Sequence, residues 1–222
     1  MSRVHERRIE PEILDEASDA DAARNLREIA RINWITGAKN ELLRQLKRRK
    51  GPATQFTFLD VGAASGDLGV AVKSKFASAR IICLDLMHRN LKAAMHPKIQ
   101  GDAFSLPFAD SSIDVVHCSL FLHHFTQHQV QQLIAEMHRV ARGTVLIQDL
   151  HRHPISYYFL PATRWLFGWH EITVSDGMKS VAAGWRKPEL VKLLKELNLL
   201  DRSAISWHFP SFRYFIAIDS TD

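Results

Sequence analysis

The segment Phe56–Gly69 constrains this chain of 222 residues more than any other. An apolar run from Phe56 to Val61 holds one acid, Asp60, then passes into a loop of small residues and a helical pattern. A buried parallel strand that turns sharply into a helix reads this way. Gly62 and Gly66 permit backbone with φ > 0 and let a ligand approach the main chain. The helix start adds free N–H groups and a partial positive charge. An ordinary strand-to-helix turn also favours glycine, so the segment alone leaves ligand binding open.

The rest of the chain repeats that unit. Strands are expected at Arg80–Leu84, near Lys98–Gly101, at Ile113–Ser119 and at Thr144–Asp149, with helices between them. The clearest helix runs Thr126–Ala141, with Val130, Leu133, Ile134 and Met137 on one face and Thr126 as its cap. Alternating β and α units imply a parallel sheet covered on both faces. Ala204–His208 and Arg213–Ile218 are joined too closely to be anything but antiparallel. The expectation is an α/β, Rossmann-like, seven-stranded, mostly parallel sheet with an antiparallel last strand.

The flanks read differently. Residues 15–50 suggest two helices broken at Thr36-Gly37, a candidate lid, with Leu26, Ile29, Ala30, Asn33 and Trp34 on one stripe. Residues 150–186 are too long for a plain connection and too aromatic for a disordered one. They are expected to pack as an insertion over the carboxyl edge of the sheet. The whole, 1–222, is read as one domain.

Composition narrows the class. Hydrophobic content of 46% suits a globular core, and no run approaches the ~18 apolar residues of a membrane span. The charged N-terminus lacks a signal-peptide core, which points to the cytoplasm. Cys83 and Cys118 sit in apolar strands and read as small hydrophobes, so no disulfide or metal site is expected. The net charge of +5 is spread out, and its one dense cluster, Lys47-Arg48-Arg49-Lys50, closes a helix. That argues against a nucleic-acid partner.

Ligands of open α/β sheets bind where strand order reverses, outside the carboxyl ends. Asp60 ends the first strand, Asp85 follows the second, and Asp102 follows the third. A dinucleotide would want Gly-x-Gly-x-x-Gly, which Gly62 and Gly66 do not begin, and Asp60 would repel a pyrophosphate.

Asp60-x-Gly62-x-x-x-Gly66, the acid Asp85, Gly101-Asp102-Ala103 and the run Leu106–Asp114 together resemble the class I S-adenosylmethionine-dependent methyltransferases. The nearest flavour is the small-molecule group that includes quinone-biosynthesis C-methyltransferases. The resemblance covers about residues 56–149. It implies that Asp60, Gly62, Ala63 and Gly66 cradle the methionine end of S-adenosylmethionine, that Asp85 and Leu86 hold the ribose, and that Asp102 and Ala103 meet the adenine. It also implies that Ser119 and Leu120 line the cofactor and face the acceptor. Ala64 stands where the family commonly has glycine, which the turn tolerates while φ stays negative.

The expected reaction moves a methyl group to O or C of a small hydrophobic, aromatic or phenolic acceptor. An acceptor proton would need a base. His151, just past Asp149, is the first candidate and His124 the second. Asn33, His123, His153, Tyr157 and Tyr158 are candidates for the acceptor pocket. The alternatives are a methyltransferase-like binding protein without catalysis, and an RNA methyltransferase. A monomer or homodimer is expected, without membrane insertion.

Overall fold

The computed structural model describes residues 4–51 and 53–220. Seven strands run β1 Thr57–Val61, β2 Arg80–Asp85, β3 Lys98–Gln100, β4 Ile113–Ser119, β5 Ala141–Leu150, β6 Ser203–His208 and β7 Arg213–Asp219. They form one sheet in the order β3-β2-β1-β4-β5-β7-β6. β7 runs antiparallel to both its neighbours, β5 and β6. The other registered pairs are parallel.

Alternation along the strands divides two cores. Leu59, Val61, Val116 and Ile147 face a layer made by α4 (Gln127–Val140) and α7 (Lys187–Glu196). Phe58, Val115, Leu146 and Phe215 face α2 (Ala38–Arg49) and α3 (Asp67–Lys75). The expected stripe of α4 is fully buried. Its cap Thr126 forms a reciprocal capping box with Gln129. The helix gives way to β5 at Ala141, three residues earlier than the sequence suggested. Cys83 and Cys118 are buried free thiols.

α1 (Asp19–Ile35) lies over the carboxyl edge of the sheet. Its stripe differs from expectation: Trp34 is 74% exposed, while Ala22, Asn25 and Asn33 are buried. The 150–186 segment forms two helices, α5 (Pro154–Phe167) and α6 (Glu171–Ala183), turned at Gly168. Ahead of α1 the chain runs as a strap. Arg7 pins it, donating through Nε to the Ala183 carbonyl (2.7 Å) and through Nη2 to those of His123 (3.2 Å) and Phe125 (2.7 Å). The guanidinium also lies 3.9 Å over the Trp185 ring. No helix among the described residues is long and apolar enough to cross a membrane.

Candidate active site

Strand order reverses between β1 and β4, and a cleft of about 680 Å³ opens there. The turn after β1 holds three left-handed residues within five: Gly62 at φ 68°, Ala64 at φ 47° and Gly66 at φ 70°. The negative φ expected of Ala64 is therefore not adopted. Its N–H is instead drawn onto the Asp85 carboxylate, 3.1 Å from Oδ2. Gly66 precedes α3 without a side-chain cap, so the first N–H groups of the helix stay available.

Asp85 is 8% exposed and fastens the end of β2. Oδ1 accepts from the Met87 N–H (2.9 Å) and the Asn90 amide (3.2 Å). With the Ala64 bond, three of its roughly four acceptor positions are taken. Asp60, 3% exposed, accepts from His117 Nδ1 on β4 at 2.8 Å. Two more acceptors line the cleft, Asn33 Oδ1 from α1 and Ser119 Oγ from β4, both buried and without partners. Buried polar atoms ordinarily have partners. This set of carboxylates, amide and hydroxyl suits a ligand rich in N–H and O–H donors, as the amino group and ribose of S-adenosylmethionine are. Leu86, 62% exposed, lies along the same cleft.

Asp102 and Ala103 stand elsewhere. Asp102 is exposed and caps its own turn, accepting from the Phe104 N–H at 2.9 Å. Ala103 is buried in the core. Neither lines the cleft.

Behind the cleft lies a smaller cavity of about 140 Å³. Glu12, Ile29, Leu120 and His124 belong to the walls of both spaces. Leu120, at φ 52°, turns the chain off the end of β4 at this partition. The remaining cavity wall is largely apolar and comes from α1, α5, α6 and the start of β7, with Ile32, Phe159, Leu160, Val181 and Phe212.

His123 lines this cavity and is buried. Its Nδ1 donates to Asp149 Oδ1 at 2.7 Å, while its backbone N–H donates to Oδ2 at 3.1 Å. Asp149 also accepts from the Leu150 N–H. Burial by itself raises the Asp149 carboxyl, but the His123 charge and these hydrogen bonds outweigh it and hold the group below the ordinary range. With Nδ1 committed to Asp149, Nε2 is the ring nitrogen of His123 left for a ligand. Its neighbour His124, 41% exposed at the side chain, is pushed down to about 3 by burial and then by His123. Glu12, His123 and His124 each bring a ligand atom within 4.8 Å of the others. Two imidazoles and a carboxylate are a donor set that a divalent cation could share, at a place where no metal was expected.

The remaining expected pocket residues line neither space. Along β5 side chains alternate: Leu150 and its register partner Arg213 both line the cavity, whereas His151 turns away. His151 packs its ring against Tyr214, with centroids 4.8 Å apart. Burial, then the charges of His153, Arg186 and Arg152, push it down to about 4. His153 caps α5, accepting from the Ile155 N–H. Tyr157 is buried with Val4, Val181 and Ala182, and Tyr158 is 56% exposed. Glu12, Arg213 and the α5–α6 residues Phe159 and Leu160 also line the cavity and were not expected there. Their one local signal is an arginine opening a buried strand.

Residues 59–147 match the family described as Methyltransferase domain. This segment is similar to methyltransferase domains. Within it lie the β1 turn, Asp85, Leu120 and the His123–His124 pair. An uncharacterized methyltransferase of Synechocystis is 33% identical over 90 residues, covering 40% of this chain and 38% of that protein. A malonyl-[acyl-carrier protein] O-methyltransferase of Coxiella burnetii is 27% identical over 164 residues, 65% of this chain and 57% of that one. A ubiquinone/menaquinone biosynthesis C-methyltransferase of Paracoccus denitrificans is 27% identical over 141 residues, 58% and 54% of the two chains. The chain thus spans about half the length of these relatives or less. A magnesium protoporphyrin IX methyltransferase of Synechocystis, solved with S-adenosylhomocysteine bound, shares the fold at a TM-score of 0.58 and 12% identity, covering 83% of this chain and 82% of that one. The expectation of an S-adenosylmethionine-dependent methyltransferase domain with a Rossmann-like sheet is met.

Proposed function

We propose that this chain transfers a methyl group from S-adenosylmethionine, held in the β1–β4 cleft, to O or C of a small hydrophobic acceptor seated in the adjoining cavity. One observation carries the reading: Glu12, Ile29, Leu120 and His124 form a partition common to a donor-hungry cleft and an apolar cavity. A displacement needs donor and acceptor aligned across a short gap, and two compartments with one wall provide it. An aromatic or phenolic ring suits the cavity, because ~150 Å³ of apolar space is known to accept benzene.

In this reading Asp60, Gly62, Ala63 and Gly66 receive the methionine end of the cofactor, and Asp85 with Leu86 receives the ribose. Asn33 and Ser119 supply the two unpartnered acceptors. When bound, S-adenosylmethionine supplies an electrophilic methyl on a sulfonium. The chain's own work is to orient the acceptor, exclude water through the strap and α1, and take a proton. That last role falls to His123 Nε2, with Asp149 fixing the ring, in place of His151, which the β5 alternation turns to the other face.

Calorimetry with S-adenosylhomocysteine, paired with transfer of labelled methyl to a panel of phenols, tests this. Ile32 lines the cavity and not the cleft, so Ile32→Trp should retain cofactor affinity and lose transfer. Binding without transfer to any acceptor would favour a non-catalytic role, and no binding at all would remove the reading.

A further inference from the structure

Arg213 opens β7 and is 3% exposed, one of the most enclosed charged side chains in the structure. Its Nε and Nη1 are buried and have no hydrogen-bond partner. A buried guanidinium left without partners is costly, and native proteins rarely keep one idle. The carboxylates whose charge reaches it are Asp149 and Asp67. Neither is hydrogen-bonded to it: Asp149 holds His123, and Asp67 pairs in charge with Lys39 at 3.3 Å.

The side chain has one opening. Arg213 lines the 140 Å³ cavity and not the cleft. The two other acids on the cavity wall are already engaged. Asp176 accepts from the N–H groups of Ile13 and Leu14, both at 2.9 Å, and Glu12 accepts from the Ser180 hydroxyl. No other carboxylate lines the cavity among the described residues.

We infer that Arg213 is the anion-binding residue of the acceptor cavity, and that the acceptor is an apolar carboxylic acid whose carboxylate pairs with the Arg213 guanidinium. The planar fork of a guanidinium matches the two oxygens of a carboxylate. Because Arg213 stands off the partition, the carboxylate anchors the acceptor and a different atom meets the methyl group at Leu120 and His124. Buried Asn25 Oδ1, another cavity atom without a partner, offers an acceptor to a hydroxyl on the same molecule. A hydroxylated aromatic acid satisfies both.

This inference rests on the methyltransferase reading, and the two can fail separately. Titration calorimetry on the full chain saturated with S-adenosylhomocysteine would compare 4-hydroxybenzoate with 4-hydroxybenzamide, and hexanoate with hexanamide. Each acid should bind about tenfold more tightly than its amide, the margin expected of a charge-assisted pair. Arg213→Met should abolish that preference and Arg213→Lys keep part of it, with S-adenosylhomocysteine affinity unchanged in both. Equal binding of acid and amide by the unaltered protein overturns the inference, as does a preference that survives Arg213→Met, or failure of all four probes to bind. The comparison within the unaltered protein decides the matter even where a variant does not fold. Transfer of labelled methyl from S-adenosylmethionine to neutral phenols, in separate samples free of S-adenosylhomocysteine and with no preference for acids, would sink the inference and leave the methyltransferase reading standing. Loss of S-adenosylhomocysteine binding in the unaltered protein would sink the reading itself.

Discussion

His117 Nδ1 stands 2.8 Å from Asp60 Oδ1, with the imidazole fully buried and the carboxylate nearly so. The two residues are register partners on β1 and β4. The Asp60 carboxylate that lines the cleft is therefore held from the neighbouring strand, and the His117 ring is itself stacked on Phe58 with centroids 5.4 Å apart. His117→Phe keeps the stacking surface and removes the donor. Stability should fall by about 1–3 kcal/mol, because a buried acceptor loses its partner. Affinity for S-adenosylhomocysteine should fall with it. Melting and calorimetry on one sample would check both, and an unchanged affinity would mean that Asp60 does not hold the ligand.

Ala64 is a second point of stress. An L-residue at φ 47° pays a steric cost that glycine does not. Set against the greater freedom of glycine in the unfolded chain, Ala64→Gly should stabilise the protein by roughly 0.5–1 kcal/mol. A urea midpoint that moves down instead would show that the turn is relaxed with alanine in place.

Asp85 joins that turn to the end of β2 through three hydrogen bonds. Asp85→Ala should weaken S-adenosylhomocysteine by roughly 2–4 kcal/mol, through lost charge-assisted bonds to ligand and loop alike. Calorimetry that finds full affinity would place the ribose elsewhere.

Asp149→Asn leaves the shape of the His123 site but removes the charge that selects its tautomer. Methyl transfer to a phenolic acceptor should fall about 10²-fold in kcat, the lower end of what a positioned base contributes. KM for S-adenosylmethionine should hold. A loss confined to KM would assign Asp149 a structural part only.

Acid should unfold the protein, and the sign follows from three groups. His124 and His151 lie near 3 and 4, below the ordinary ~6.5. Between those values the unfolded chain binds more protons, so stability falls as pH drops from about 6.5 to about 4. Asp149, held below the carboxylate range, adds a contribution that is lost at still lower pH. Urea unfolding at pH 7.5 and 4.5 should show the drop, and His151→Gln should lessen it. Equal midpoints at the two pH values would contradict it.

What the sequence made legible was what neighbours in the chain decide. Asp60 and Asp85 could be set at strand ends because the apolar runs before them and the glycines after Asp60 are local signals. The stripe of α4 needed only a 3.6-residue period. The cavity was hidden because its walls meet only in three dimensions. Glu12 reaches it on a strap with no periodicity, held by Arg7 on carbonyls more than a hundred residues away. His151 follows Asp149 by two residues, but β5 runs to Leu150, and alternation along it turns His151 away from the cavity that Leu150 lines. Trp34 suited a buried stripe by spacing alone and stands in solvent.

The partition has a consequence for kinship. Of the residues bounding the smaller cavity, only Leu120, His123 and His124 fall inside the 59–147 segment that carries the family match. The strap, α1 with its cap Thr36, the α5–α6 pair, Leu150 at the end of β5, and the turn into β7 with Arg213 supply the others. Two proteins of this lineage can thus inherit one methyl donor and its seat unchanged while accepting unrelated molecules. A new clientele would be acquired by rewriting the roof, with the sheet beneath left as it was.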